Sequence, residues 1–376
     1  MIKCKKKMSK NLVFSLVIVG VLFASCSSDD EGSGSPSLNI PDEYVSINFD
    51  SNVVAENTVI DELSALTSSL NAAESNAQST AVSPIDYPST LSTVTLPTYR
   101  PLVTDWLVQL VNSANSSDGF QNPGFGNMPA VGQEGGLLGT RLLDEYGLEL
   151  EQMIEKGSFG AALYNHALTV INGDLTDSGV IDKLVEIHGT DITFNPSETT
   201  AAATYSRRRS NLTAETGFFF DIRENLITAK AAIEAGSEFD AVRDAALADY
   251  LLNWEMSNFA TVIYYCNATK DLLTSAFALP NGPEKDVELG NAMHAYAEGV
   301  AFAHGFRGLS DKLITDAEID SILANFLAVA GQNPESHRFL NETDLFSNLD
   351  TVITDLQNIY GFTDAQVISF YVNNNP

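Results

Sequence analysis

Two stretches of this chain, Trp254 to Ala268 and Ala292 to Phe306, are apolar nearly all round. A helix of that kind is buried against neighbours on most sides, so the rest of the chain has to pack around both of them. Any polar group they carry then needs a partner. The surrounding pattern is also helical, over Leu137 to Asn172 with a break near Gly147 or Gly157, then Phe218 to Ala235, Phe239 to Ser275, Val287 to Phe306, Asp316 to Ala330, Leu345 to Tyr360 and Asp364 to Tyr371. Thr315 with Glu318, and Thr363 with Gln366, have the spacing of capping boxes. Few runs alternate with period two, so the expected class is all-α, a helical bundle.

Ahead of Pro101 the chain is rich in Ser and Thr and punctuated by Pro84, Pro88 and Pro97, with one alternating run at Tyr44 to Phe49 and one amphipathic helix around Val59 to Leu70. This irregular N-terminal segment is expected to wrap the body more than to build its core. Glycines and prolines interrupt the chain again from Ser116 to Gly136. Further on it repeats itself: Glu155, Phe159 and Tyr164 share their spacing with Glu255, Phe259 and Tyr264. Two pseudo-repeated helical halves are expected, about 137–235 and 239–330, with a loop from Thr190 to Ser210 inserted in the first.

The first 25 residues have the layout of a secretory signal: Lys3, Lys5, Lys6, Lys7 and Lys10, an apolar run from Leu12 to Phe23, then Ala24 and Ser25 before Cys26. The run is about a dozen residues, short of the roughly 20 that a spanning helix needs. Leu22-Phe23-Ala24-Ser25-Cys26 resembles a lipobox, with Phe23 where Leu is more usual, and implies lipidation at Cys26. Residues 26–41 read as a polar, flexible tether and 42–376 as a single mostly helical domain. Its acidic start, Asp29-Asp30-Glu31, resembles the signal that sends lipoproteins of Bacteroidota-type bacteria to the outer leaflet of the outer membrane. The expected location is therefore an outer-membrane, lipid-anchored cell-surface position, with a periplasm-facing anchor as the alternative.

Three cysteines occur, and only Cys266 follows Cys26, so the expected mature domain has no internal disulfide. Removing the five signal lysines from 20 basic residues leaves 15, and 15 minus 49 acidic residues gives a formal charge of −34. Such a field repels phosphate backbones and argues against nucleic acid as a partner.

His294 and Glu298 are four apart, on one face of a helix. An imidazole and a carboxylate there can bind a metal ion with Glu255, Glu155 or Glu215 from neighbouring helices, or can simply satisfy each other inside the core. His166 and His304 sit on predicted helices, while His188 and His337 fall in predicted loops. Arg207-Arg208-Arg209 is the one basic cluster of the domain, and reads as a solvated loop paired with nearby carboxylates or as an anion site. Gly-x-Ser-x-Gly, CxxC and phosphate-cradling loops do not occur in the sequence.

Gly147-Leu-Glu-Leu-Glu-Gln-Met-Ile-Glu-Lys-Gly157 followed by Phe159-Gly160-Ala161, then Ala231-Ala232-Ile233, and His294-Ala-Tyr-Ala-Glu298-Gly299 with Phe302, resemble an uncharacterised family of surface lipoproteins. Its members typically carry His-His-Trp-Asp-Glu-Ala-Phe-Gly-Tyr, where this chain has Ser210 to Phe218 and keeps only Glu215 and the aromatics. More distantly, duplicated helical bundles on a lipid anchor are similar to imelysin-like proteins, associated with iron acquisition. Their Gly-x-His-x-x-Glu is not reproduced, because His294 and Glu298 stand one residue further apart. The resemblances imply a surface binding protein that engages a metal, a metal complex or a protein of an uptake system, with His294, Glu298, Glu255 and Glu215 lining the site. The alternatives are an imelysin-like metallopeptidase, with Glu298 as base and His294 as ligand, and an interaction or scaffold lipoprotein.

Overall fold

A computed structural model describes residues 37–124 and 126–376. The expected signal peptide, Cys26 and most of the tether lie outside the described residues. One compact unit runs from Leu38 to Pro376. Its continuous core reaches from Tyr44 to Phe370, so this unit carries the packing it needs to fold by itself.

The described residues form an all-α bundle with one two-stranded hairpin. Helices α1 (Phe49–Asn52), α2 (Val54–Asn76), α3 (Ser89–Val94) and α4 (Arg100–Asn115) precede the hairpin of β1 (Gly136–Leu138) and β2 (Arg141–Leu143). The strands pair antiparallel, Gly136 opposite Leu143 and Leu138 opposite Arg141. Then come α5 (Leu150–Ser158), a π-helical turn over Phe159–Tyr164, α6 (Asn165–Ile171), α7 (Gly179–His188), α8 (Ala201–Arg208) and α9 (Phe218–Ala235). The chain closes with α10 (Asp240–Ala278), α11 (Pro283–Gly305), α12 (Asp316–Asn325), α13 (Phe346–Tyr360) and α14 (Asp364–Phe370).

The two apolar stretches make up most of the buried length of α10 and α11, which pack along each other, with α9 packed on α10 and α5 on α11. Trp254 sits 1% exposed at the centre, edge-on to Tyr164 with ring centroids 5.3 Å apart and to His188 at 5.0 Å. Edge-to-face pairs of this kind add to the area term, which is itself about 2–3 kcal/mol for a large buried side chain. Both expected capping boxes form, on α12 and α14.

Four expectations are corrected. The helix expected from Leu137 starts only at Leu150, because Gly139 at φ +61° turns the chain into the hairpin and sits tight against the Val287 backbone. The N-terminal segment does more than wrap: α2 sends Val59, Leu63, Leu66 and Leu70 into the core, and Leu91 of α3 and Leu96 after it join them. In the alternating run at Tyr44 to Phe49, Tyr44 is buried with its hydroxyl on Asp182 at 2.6 Å. The Thr190 to Ser210 loop contains α8, and His188 is the last residue of a helix and is fully buried.

Candidate functional site

The site grows from the way α5 crosses α11. A Cβ on Gly305 would lie 2.3 Å from the Gly157 carbonyl oxygen, and one on Gly160 2.7 Å from Gly305 O, so the two backbones touch where only glycine leaves room. Tyr99 donates its hydroxyl to Met153 O at 2.6 Å, taking up a carbonyl of α5. A side chain inserted in the ladder is a recognised cause of local helix distortion, and the π-turn follows within a turn of it. There Ala161 O accepts from Leu96 N at 2.7 Å. The crossing brings the acidic face of α5 against the His294 and Glu298 face of α11.

Glu149, fully buried just ahead of α5, lies with Oε2 2.7 Å from His294 Nδ1. Burial, with the like charge of Glu74, pushes the Glu149 carboxyl well above its usual range against the pull of Arg141. Burial also pushes His294 down. Each shift favours the neutral form of its group, and a single hydrogen bond joins the Glu149 carboxyl to His294 Nδ1. Glu298 Oε2 is 3.7 Å from Nε2, an electrostatic contact beyond hydrogen-bond range.

Lys156 closes the network. Its ammonium pairs with Glu155, stands 3.9 Å from Glu298 Oε1 and lies 5.7 Å from the centroid of the Tyr205 ring. Burial works to discharge it, but Tyr205, Glu155, Glu298 and Glu151 outweigh that and hold it charged. On the hairpin side, Arg141 stands 3.6 Å from Glu74 and 3.8 Å from Glu149. Glu155 and Glu298 thus have the Lys156 ammonium beside them, and Glu74 the Arg141 guanidinium, as charges out of water require.

Above Lys156 and Glu298 opens a pocket of about 450 Å³, walled by α8 through Tyr205 and Arg208, by α10 through Tyr264 and Tyr265, by α11 through Asn291 and His294, and by Asn373 of the C-terminal tail. The Tyr265 phenol faces Glu298; burial pushes it up, and the charge of Glu298 helps. Arg208 lies over the Tyr205 ring at 5.1 Å, and its Nε has no partner. Among the described residues no carboxylate pairs with Arg207, Arg208 or Arg209. Arg209 is buried, donates to Phe370 O and Asn373, and rests 4.5 Å from the Tyr264 ring centroid. The expectation of a solvated loop paired with carboxylates is corrected: Arg207 and Arg209 are buried, and the tail is tied to this end of α8 through Asn374 on Arg208 O at 3.2 Å.

Of the four residues expected to share a site, the structure brings together His294 and Glu298. Glu255 is taken up elsewhere, accepting from Leu313 N and Ile314 N at 2.8 Å and from the Tyr360 hydroxyl at 2.7 Å. Glu215 is exposed in the turn closed by Asn211 and Thr216. No group of three His, Cys, Asp or Glu among the described residues is arranged to hold a metal ion. The donor set does not fit one here: Nδ1 is taken up by the Glu149 carboxyl, and the Lys156 ammonium stands beside Glu298. Glu155 does join the network, through Lys156. Sequence reasoning missed Glu149 and Lys156, although both stand in the Gly147–Gly157 stretch, whereas Arg208 belongs to the arginine run that reads as a solvated loop or an anion site.

The other histidines are held structurally. His166 stands 3.5 Å from Glu56, His188 bonds Ser206 at 3.0 Å, and His337, expected in a loop, is buried in a 3-10 turn with Nε2 3.0 Å from Asn127 O. Cys266 is a buried free thiol that burial pushes up. No helix among the described residues is long and apolar enough to cross a membrane. Compared with known proteins, the chain matches no family model, no curated protein and no solved structure.

Proposed function

We propose that the protein is a lipid-anchored binding protein of the cell envelope surface, and that it captures a small polar ligand in the pocket above Lys156 and Glu298 through an anionic group of that ligand. The observation that carries this reading is Arg208, an arginine with no carboxylate partner on the wall of a polar pocket, in a chain of net charge −29. In such a chain a guanidinium finds a carboxylate readily, and a planar fork of donors left open suits a carboxylate or phosphate. The pocket volume falls in the range of small-molecule sites, about 300–1,000 Å³. Tyr264, Tyr265, Asn291 and Asn373 offer further hydrogen bonds around it.

Metal acquisition, the expectation drawn from the resemblances, takes a narrower form here: a metal would arrive inside a complex whose own anionic groups meet Arg208. An uptake-system protein would be the partner that takes the ligand over. The anchor rests on the basic, apolar and small-residue layout that leads into Cys26.

Two experiments test the reading. Thermal unfolding of the chain from Leu38 onward is followed with citrate, inorganic phosphate and sodium chloride at matched ionic strength. Stabilisation by citrate or phosphate above the chloride control, lost in Arg208→Ala, supports it, and equal curves in all three salts refute it. Labelled palmitate should enter the full chain and not Cys26→Ala; label in both, or in neither, refutes the anchor.

A further inference from the structure

A second cavity, of about 380 Å³, shares no lining residue with the first. It lies between one face of α4, the Asp144–Leu148 turn, the C-terminal end of α11 and the 328–334 segment. Leu102, Leu148, Met153, Val300 and Val329 supply its apolar lining. Trp106 and Tyr146 add aromatic surface, and Asp105, Asp144 and Glu145 add carboxyl groups. No lysine or arginine lines it.

Two of these carboxyl groups, on Asp105 and Glu145, have no ion-pair partner among the described residues, and Glu145 has only its own backbone N–H beside it. Asp144 is committed differently, accepting from Tyr146 N at 2.9 Å and Leu148 N at 2.8 Å. The independent observation is His304. Its ring is packed against Tyr99 and Trp106, with centroids 5.6 and 5.8 Å away, and the residue is 8% exposed, yet Nδ1 has no partner. A buried polar atom without a partner is costly, and this one belongs to a side chain that lines the cavity. Burial pushes His304 down to about 4, so the imidazole is neutral at physiological pH and can accept a proton donor.

We propose that this cavity binds a primary aliphatic amine in its ammonium form. The alkyl part lies on the apolar lining. The ammonium lies against Trp106, where a cation over an indole face gains attraction, with Asp105 and Glu145 balancing its charge and His304 Nδ1 accepting one of its protons. A quaternary ammonium lacks that proton and binds more weakly. This site does not depend on the function proposed for the Arg208 pocket.

The chain has two tryptophans, and Trp254 is buried in the core, so a ligand-induced change in emission reports Trp106. The test titrates n-butylammonium chloride into the chain from Leu38 onward, with sodium chloride, 1-butanol and tetramethylammonium chloride as comparators and calorimetry in parallel. The expected result is saturable binding of butylammonium near the millimolar range, weaker binding of tetramethylammonium, and no saturation with 1-butanol or sodium chloride. The variant Asp105→Asn with Glu145→Gln, its fold checked by circular dichroism, should bind about tenfold more weakly, the equivalent of about 1.4 kcal/mol. Asp105 is exposed, so Asp105→Asn alone gives a folded variant that should also bind more weakly. Absence of both a signal and heat, an equal response to 1-butanol or sodium chloride, or unchanged affinity in both variants overturns the proposal.

Discussion

Replacing Gly305 by alanine adds one carbon at the point where α5 and α11 touch. That carbon would stand 2.3 Å from the Gly157 carbonyl oxygen, whereas ordinary contact begins at 3.4 Å, so the helices must part by about 1.1 Å (3.4 minus 2.3) before the clash is relieved. The same displacement along the seam would stretch the Glu149–His294 contact from 2.7 Å to about 3.8 Å, past hydrogen-bond range. Overpacking costs about 1–3 kcal/mol, and a buried hydrogen bond lost on both sides about 1–3 kcal/mol more. The expected loss is therefore about 2–6 kcal/mol, with weaker binding in the Arg208 pocket because Lys156 and Glu298 shift with their helices. Urea unfolding followed by far-ultraviolet circular dichroism measures the first, and calorimetric titration with citrate the second. A Gly305→Ala protein within about 0.5 kcal/mol of the parent, binding citrate equally well, would show that the glycine crossing does not set the site.

Glu255→Gln should lower stability by about 2–3 kcal/mol in urea unfolding, since an amide nitrogen replaces an acceptor of Leu313 N or of Ile314 N and Tyr360. Glu215→Gln, in an exposed turn, should change it by less than about 0.5 kcal/mol. His188 is buried and held down to about 3, from an ordinary 6.5. Its folded value is the lower one, so the stability it contributes above about pH 6.5 is lost as pH falls towards 3, by at most about 4–5 kcal/mol at 1.36 kcal/mol per unit. Unfolding free energies measured from pH 7 to 4 should fall less steeply in His188→Gln, and equal slopes would contradict the assignment.

The central helices were legible because burial on all sides leaves a plain mark in composition: Trp254 to Ala268 and Ala292 to Phe306 are the cores of α10 and α11. The capping boxes were legible because their chemistry is local. The hairpin was not, since Gly136 to Leu143 is only a short apolar run with glycines, and its pairing is stabilised by α4 and α11 packing on it. Nor was the site complete. The spacing of His294 and Glu298 places them on one face, but their true neighbours come from α5 and α8, and which helix packs there is decided by glycine contacts at Gly157 and Gly305. Glu255 has the helix position of a ligand and a structural task, holding the Leu313–Ile314 backbone, which depends on a loop that periodicity does not locate.

The central claim is that Arg208 is left open for an anionic ligand, and calorimetric titration of citrate into the parent protein and Arg208→Ala tests it most directly. A charge-assisted hydrogen bond contributes about 1.5–3 kcal/mol, so the account predicts saturable binding by the parent and about ten- to hundredfold weaker binding by the variant. Equal affinity in the two proteins, or no heat of binding in either, would contradict it.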